Sequence, residues 1–343
     1  MNMMASGTYD EALGRYHLTG PEFEGWLSNH GPMVVHVLAR RGNDSAIHPW
    51  TDQYLRRLEP MPGSIRAIDV HSSQAALGDP TRLGDWISYF EEQVTESNWT
   101  DVLVEWWPIL LPGIAAGATH GVIRVGHATE ALRQETTEPR SRELAQALGY
   151  WAARWQQVPS TTPRGRRPAN ELVRTVPRVP RQDGGILSRL SQLTETPGWV
   201  EHGESLRPPS SDSDVGPALE ALVDAVVTAY PQLAPGNPTM LVHAATAPHA
   251  VARALPSLPR PLWRPSFDAA WSASSAVLAA YSPRELATSP PPVITDPSVA
   301  FELALKHRGE HVIKYADTAL DVYLRTGDAR ALSGIATAIT LDA

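Results

Sequence analysis

Apolar residues recur at intervals of three and four along most of this chain. One such set is Leu83, Trp86, Ile87 and Phe90. This spacing places all four side chains on one face of a helix that starts at residue 83, and the same argument predicts a helix over residues 142–156. Nowhere do apolar and polar residues alternate with a period of two for long enough to build a sheet. The pattern therefore predicts an all-α protein, a single helical-bundle-like domain over residues 1–343.

Capping residues, glycines and prolines divide the rest of the pattern into further helices. Their predicted ranges are 7–20, 32–39, 216–230, 238–254, 266–280 and 298–325, with further helical pieces starting near residue 99 and after residue 328. Residues 42–82 contain several prolines and no sustained period, and we interpret them as loop with short helical pieces. Pro, Arg, Ser and Gly dominate residues 158–214. This composition predicts a long irregular excursion over the surface, an insertion or lid within the domain.

Composition narrows the chemistry that the chain can perform. Its formal net charge of −8 argues against broad nucleic-acid binding, which needs a basic surface. The absence of cysteine excludes disulfides, iron–sulfur ligation and thiolate nucleophiles. The first residues lack the pattern of a signal peptide, and no apolar run reaches the length of a membrane span. We therefore expect a cytoplasmic protein whose partners include neither nucleic acid nor membrane.

Lys306 and Lys314 are the only lysines in the chain, and every other residue of the Lys and Arg total is arginine. Lys314 follows His307 at i+7 and His311 at i+3, so the predicted helix over 298–325 places all three on one face. Arginine cannot replace an amine that must lose its proton, because arginine stays charged in proteins. The stretch indicates either a chemical role for Lys314 or a solvated charged face.

Four histidines lie on separate predicted helices, mostly among glycine, alanine or threonine. They are His30, His120, His243 and His311. Helix bundles build metal sites from inward side chains of facing helices, and imidazole binds iron, zinc, copper and nickel. Three further histidines, His127, His249 and His307, are candidate ligands, hydrogen-bond partners of ligands or substrate contacts. Four other residues are candidate hydrogen-bond partners of ligands, with a purely structural role as the alternative: Asn29, Arg124, Thr246 and Glu310.

The surroundings of the other histidines favour structural roles. His48, His71 and His202 lie in polar or irregular stretches, and we expect them at the surface. His36 lies in an apolar helical run, and we expect it in the core with its hydrogen bonds satisfied.

Several blocks of sequence resemble the questin oxidase-like proteins. They are Gly7–Leu13, Leu27–Met33, Leu111–Gly113 with Gly117–Arg124, His243–Thr246 and Glu310–Lys314. No single block is specific for this family. The order and spacing of the blocks along nearly the full length of the chain are specific for it. Residues 158–214 carry no motif that matches this family.

The resemblance implies an oxidoreductase. The family takes its name from fungal enzymes that oxidise anthraquinone-type polyketides, with ring cleavage of a Baeyer–Villiger-like or dioxygenase type. Its members resemble non-haem iron proteins whose metal is held by histidines, together with a lysine that can be carboxylated. Carried over residue by residue, this implies one Fe(II) ion ligated by His30, His120, His243, His311 and a carboxylated Lys314. Substrate and partners would be a planar aromatic molecule, O2 and an external reductant such as NADPH.

Two other classes of function remain open from the residues alone. A metal hydrolase could use the same ligands and a carboxylated lysine to activate water. A helical binding protein without catalysis could hold the same histidines as satisfied core residues, in which case their side chains would not converge. No glycine-rich loop follows a strand, and no nucleophile elbow is present, so neither a dinucleotide-binding fold nor acyl transfer has support.

Overall fold

The computed structural model describes residues 6–69, 72–159 and 161–342, and helices are the dominant secondary structure of this part of the chain. Within it the one sheet is a two-stranded antiparallel hairpin, in which β1 (Glu22–Phe23) pairs with β2 (Leu27–Ser28). The predicted all-α class is confirmed. No helix among these residues combines the length and apolar character that crossing a membrane requires. His71 lies outside the described residues.

The chain divides into two compact units. Unit 1 comprises residues 1–157 and 256–259, and unit 2 comprises residues 158–255 and 260–343. The single domain over 1–343 stays a prediction.

Helices of unit 1 carry buried apolar stripes that pack on one another. Their bounds are α1 (Ser6–Tyr16), α2 (Gly31–Arg40), α3 (Asp44–Tyr54), α4 (Ser73–Ala76), α5 (Leu83–Glu96), α6 (Trp99–Leu110), α7 (His120–Gln134) and α8 (Glu138–Ala153). The helix α8 packs against α1, α5 and α7, and α2 packs against α1, α3 and α7. Trp107 and Trp151 are fully buried and meet edge to face, with ring centroids 5.4 Å apart.

The helix α3, 11 residues long, occupies part of the stretch 42–82 that we interpreted as loop with short helical pieces. Pro49 lies inside this helix, and the helix was not predicted because proline disfavours helix interiors. Ile47, Trp50, Thr51 and Tyr54 lie on one face at helical spacing and are all buried. Burial of this stripe outweighs the local preference of proline, so tertiary packing decides the structure here.

Unit 2 is arranged around one long apolar helix, α12, which packs against α9, α14, α15, α17 and α18. Its helices are α9 (Ala169–Leu172), α10 (Ile186–Leu190), α11 (Trp199–Glu204), α12 (Val215–Leu233), α13 (Pro238–Leu241), α14 (His243–Ala254), α15 (Trp263–Tyr281), α16 (Pro297–His307), α17 (Glu310–Thr326) and α18 (Ala329–Leu341). The helix α17 also packs against α14, α16 and α18.

The segment 158–214 is irregular as predicted, but it is not a mere surface excursion. Many of its apolar side chains are buried, Leu172 and Trp199 among them. His202, which we expected at the surface, is 8% exposed and stacks on Trp271 at a centroid distance of 5.7 Å. Burial also lowers the pKa of His202. The composition misled because arginines and prolines alternate with a few large apolar residues that anchor the segment.

The predicted helix over 298–325 is two helices. Arg308 adopts a left-handed backbone with φ +68°, and this residue ends α16. Gly309 follows, and α17 begins at Glu310. His307 therefore does not share a helix face with His311 and Lys314, contrary to the sequence prediction. Its Nδ1 instead accepts a hydrogen bond of 3.2 Å from the backbone N–H of Gly309, which fastens the break.

Candidate functional site

His30 and His120 converge in unit 1. Their Nε2 atoms lie 2.7 Å apart, and their rings meet edge to face with centroids 4.5 Å apart. Both side chains are buried, with exposed fractions of 3% and 6%. Ninety positions of sequence separate these residues, so the fold, and not local structure, brings them together.

The end of α3 fixes His30. The backbone N–H of His30 donates to the hydroxyl of Tyr54 over 2.9 Å, and its Nδ1 lies 3.2 Å from the same oxygen. Tyr54 is itself stacked on Trp50 with ring centroids 4.6 Å apart. Pro32 in the first turn of α2 starts that helix directly after His30. The ring is therefore held at Nδ1, and its Nε2 is directed at His120.

A left-handed turn of three residues presents His120 at the start of α7. Gly117, Ala118 and Thr119 have φ values of +53°, +58° and +72°. Two of them carry a Cβ, and such conformations cost of order 1–3 kcal/mol each outside glycine. The carbonyl oxygen of Gly117 accepts a 2.5 Å hydrogen bond from Nδ1 of His120. Since a carbonyl only accepts, Nδ1 carries the proton and Nε2 offers its lone pair to His30.

Gly117→Ala tests how tightly this turn is built. A Cβ at position 117 would lie 2.2 Å from the hydroxyl oxygen of Tyr150, and the positive φ disfavours any side chain. We expect the free energy of unfolding to fall by about 1–3 kcal/mol, measured by chemical denaturation. Gly14→Ala is the matched control, because that glycine is exposed in α1 with nothing within 4 Å of the added carbon. Equal stability of the two variants would contradict the tight turn.

His243 and His311 form a second pair, in unit 2. His243 begins α14, His311 lies in the first turn of α17, and their ring centroids are 5.1 Å apart. His243 is 1% exposed, whereas His311 is half-buried. Burial, followed by the charge of Lys314, lowers the pKa of His243 to about 3. The imidazole of His243 is therefore neutral at pH 7, which is the form that binds a metal.

Lys314 lies one turn after His311 on α17, with only 1% of the residue exposed. Its Nζ has no hydrogen-bond partner among the residues that the structure describes. Burial lowers its pKa to about 7, and the nearby Glu310 only partly offsets this shift. A large share of the amine is therefore neutral at pH 7, and a neutral amine can add carbon dioxide to give a carbamate. Lys306, by contrast, is exposed.

Asn29 and Arg124 have structural partners. The Asn29 side-chain oxygen accepts from the backbone N–H of Gly31 over 2.9 Å, and its amide donates to the Gly20 carbonyl over 3.2 Å. Both bonds shape the turn that leads into α2. Arg124 makes a two-pronged ion pair with Glu143, at 2.6 and 2.7 Å. This pair joins α7 to α8 and holds the pKa of Glu143 below its usual value, against the effect of burial.

His127 and His249 bind other side chains of their own units. Nδ1 of His127 lies 2.9 Å from Nδ1 of His36, which is fully buried as predicted. In unit 2, Nδ1 of His249 lies 2.9 Å from the Thr318 hydroxyl, and its Nε2 lies 3.2 Å from a carboxylate oxygen of Asp321. These contacts favour the structural alternative for both histidines.

Thr246 is buried and donates its hydroxyl proton to the carbonyl of Val242, one turn earlier, over 3.1 Å. This local bond accounts for the side chain without a ligand. Sequence reasoning missed Tyr54, which contacts His30, because we interpreted the stretch 42–82 as loop with short helical pieces and assigned Tyr54 to no helix. The spacing of Trp50 and Tyr54 at i and i+4 was the available signal, since it is typical of one face of a helix.

Comparisons with known proteins add no family to this picture: no protein-family model matches the chain, and neither does any curated protein. The resemblance to the questin oxidase-like proteins stays a prediction from the motifs.

Proposed function

We propose that this protein is a metal-dependent oxidoreductase, a non-haem iron oxygenase that cleaves a ring of an aromatic polyketide or related planar phenol. The observation that supports the metal is the convergence of His30 and His120. Both rings have Nδ1 engaged, by Tyr54 and by the Gly117 carbonyl, and both direct Nε2 to one point. Metal-ligating histidines are held in this way, with the second ring nitrogen fixed by a hydrogen bond.

The candidate donors of unit 2 have the chemistry of metal ligands. His243 stays neutral at pH 7, and Lys314 offers a buried amine with a pKa of about 7 and no hydrogen-bond partner among the described residues. Carboxylation of Lys314 forms an N–C bond to CO2 with release of a proton, and it supplies an anionic oxygen. Bound iron supplies the oxygen chemistry that no side chain here can perform. The protein contributes a neutral imidazole at His243, fixed ring orientations at His30 and His120, and a buried amine at Lys314.

The substrate class rests on the resemblance, and so does the single ion held by all five residues. Metal stoichiometry tests the single ion: one equivalent per chain, lost in His120→Ala and in His243→Ala alike, agrees with it. A metal content that only halves in each variant would contradict it.

Oxygen dependence separates the proposed oxygenase from the hydrolase alternative. The purified protein is loaded anaerobically with Fe(II), mixed with a panel of anthraquinones, and then exposed to O2 with or without NADPH. We expect O2 uptake and product formation in step with each other, and neither with zinc-loaded protein. Product formed without O2, or equally with zinc, would indicate a hydrolase and contradict the oxygenase.

A further inference from the structure

One hydroxyl group lies between the two segments that carry His30 and His120. It belongs to Tyr150 in α8, a residue that is 1% exposed. Its oxygen lies 2.5 Å from the hydroxyl oxygen of Ser28, two residues before His30. Burial raises the pKa of Tyr150 well above its usual range, so the group stays a neutral phenol.

The same oxygen covers the left-handed turn before His120. A Cβ on Gly117 would lie 2.2 Å from it, so the phenol fills the space over that residue. Gly117 is the residue whose carbonyl fixes Nδ1 of His120. Tyr150 thus lies against Gly117, whose carbonyl fixes His120, and against Ser28, which lies two residues before His30.

The neighbours of Tyr150 on α8 hold it against both segments. The indole N–H of Trp151 donates to the Gly113 carbonyl over 3.0 Å, which fastens α8 to the chain before the left-handed turn. Arg154 makes a two-pronged ion pair with Glu22, at 2.6 and 2.7 Å. Glu22 is the register partner of Ser28 in the hairpin. The helix α8 therefore grips the hairpin and the turn over the same stretch of five residues.

We propose that Tyr150 is a positioning residue: its hydroxyl sets the Ser28 segment and the Gly117 turn in register, and so fixes the two imidazoles relative to each other. As far as metal binding is concerned, this rests on the proposed function. The placement of the rings does not, because it is argued from contacts among side chains and backbone of unit 1 alone.

The first test is therefore made without metal, by NMR of the imidazole nitrogens in chelator-treated protein. In wild type, His120 is expected as the single tautomer with its proton on Nδ1. Tyr150→Phe keeps the ring and removes the hydroxyl, and we expect a mixture of both tautomers. Tyr230→Phe is the matched control, since Tyr230 is a buried tyrosine of unit 2 that donates to the Pro238 carbonyl over 3.0 Å. An unchanged single tautomer in Tyr150→Phe would overturn the proposal.

The second test uses Co²⁺ as the probe of the assembled protein, followed by its visible absorption. Tyr150→Phe is expected to weaken Co²⁺ binding roughly 10- to 100-fold and to change the band shape, while Tyr230→Phe matches wild type. Ser28→Ala removes only the hairpin contact, so it should weaken binding and leave the His120 tautomer alone. If Tyr150→Phe fails to fold, wild-type Co²⁺ affinity in Ser28→Ala overturns the proposal. If wild-type protein binds no Co²⁺, the proposed function is contradicted. The role of Tyr150 is then still decided by the tautomer of His120.

Discussion

His120→Ala protein, purified beside wild type and analysed for bound metal, should contain almost none. The variant removes one of two converging nitrogens and leaves the Gly117 carbonyl without the imidazole that it fixes. Loss of a ligand should lower affinity by more than the roughly 10- to 100-fold that loss of a supporting hydrogen bond costs. Inductively coupled plasma mass spectrometry after reconstitution with Fe(II) measures the content.

His36→Ala is the control that this experiment needs. His36 is fully buried on α2, and its Nδ1 lies 2.9 Å from that of His127 on α7, so it belongs to a second pair of ring nitrogens in the same unit. The control loses as much buried imidazole as His120→Ala does. We expect it to unfold more easily and to keep its metal. Equal metal content in the two variants, or a wild type without metal, would remove the basis of the proposed function.

The stability of the metal-free protein should rise with pH between about 7 and 10.5, and Lys314 should cause the rise. In the folded chain the pKa of Lys314 is about 7, against the ordinary value of 10.5. Between these values the unfolded chain binds the proton and the folded chain does not, so raising the pH favours the folded state. The expected slope is about 1.4 kcal/mol per pH unit, and below the folded pKa the full penalty of burying the amine remains.

Lys314→Met removes the titrating amine and keeps an unbranched apolar chain. We expect this variant to be more stable than wild type at pH 7, with the difference vanishing near pH 10.5. Denaturation with urea across this range measures it, in CO2-free buffer with a chelator so that neither carbamate nor metal contributes. Lys306→Met is the control. Lys306 is exposed and this variant keeps Lys314, so its stability should follow that of wild type across the whole pH range. A parallel pH profile in wild type and Lys314→Met would contradict the buried amine.

Periodicity alone predicts the all-α class, because helices that pack in a core must bury a stripe with a period near 3.6. It fails where a single residue acts against the pattern. Pro49 concealed α3, although burial of Trp50 and Tyr54 holds that helix together. The left-handed backbone of Arg308 divided a helix that the pattern joined, since arginine gives no signal for that conformation.

The histidines of the candidate site could be singled out because residue type and helix position are visible in sequence. Their supports could not. Tyr54 contacts His30 across 24 positions, and Tyr150 contacts Ser28 across 122. A buried tyrosine looks the same in sequence whether its hydroxyl holds a backbone, a ring or nothing. His307 was misplaced for a related reason: the spacing that joined it to His311 assumed a continuous helix.

The near-absence of lysine gives the chain a property of its own. An amine-reactive reagent meets Lys306 at the surface, whereas Lys314 is 1% exposed. Lys314 can be acylated only when α17 opens, and the exposed amine then regains the ordinary lysine pKa, because burial is what lowers it. The rate of acylation at Lys314, divided by the rate at Lys306, therefore measures how often α17 opens. A carbamate or a metal held by Lys314 would slow acylation at Lys314 and leave Lys306 unaffected. This ratio would therefore report ligand binding without knowledge of the substrate.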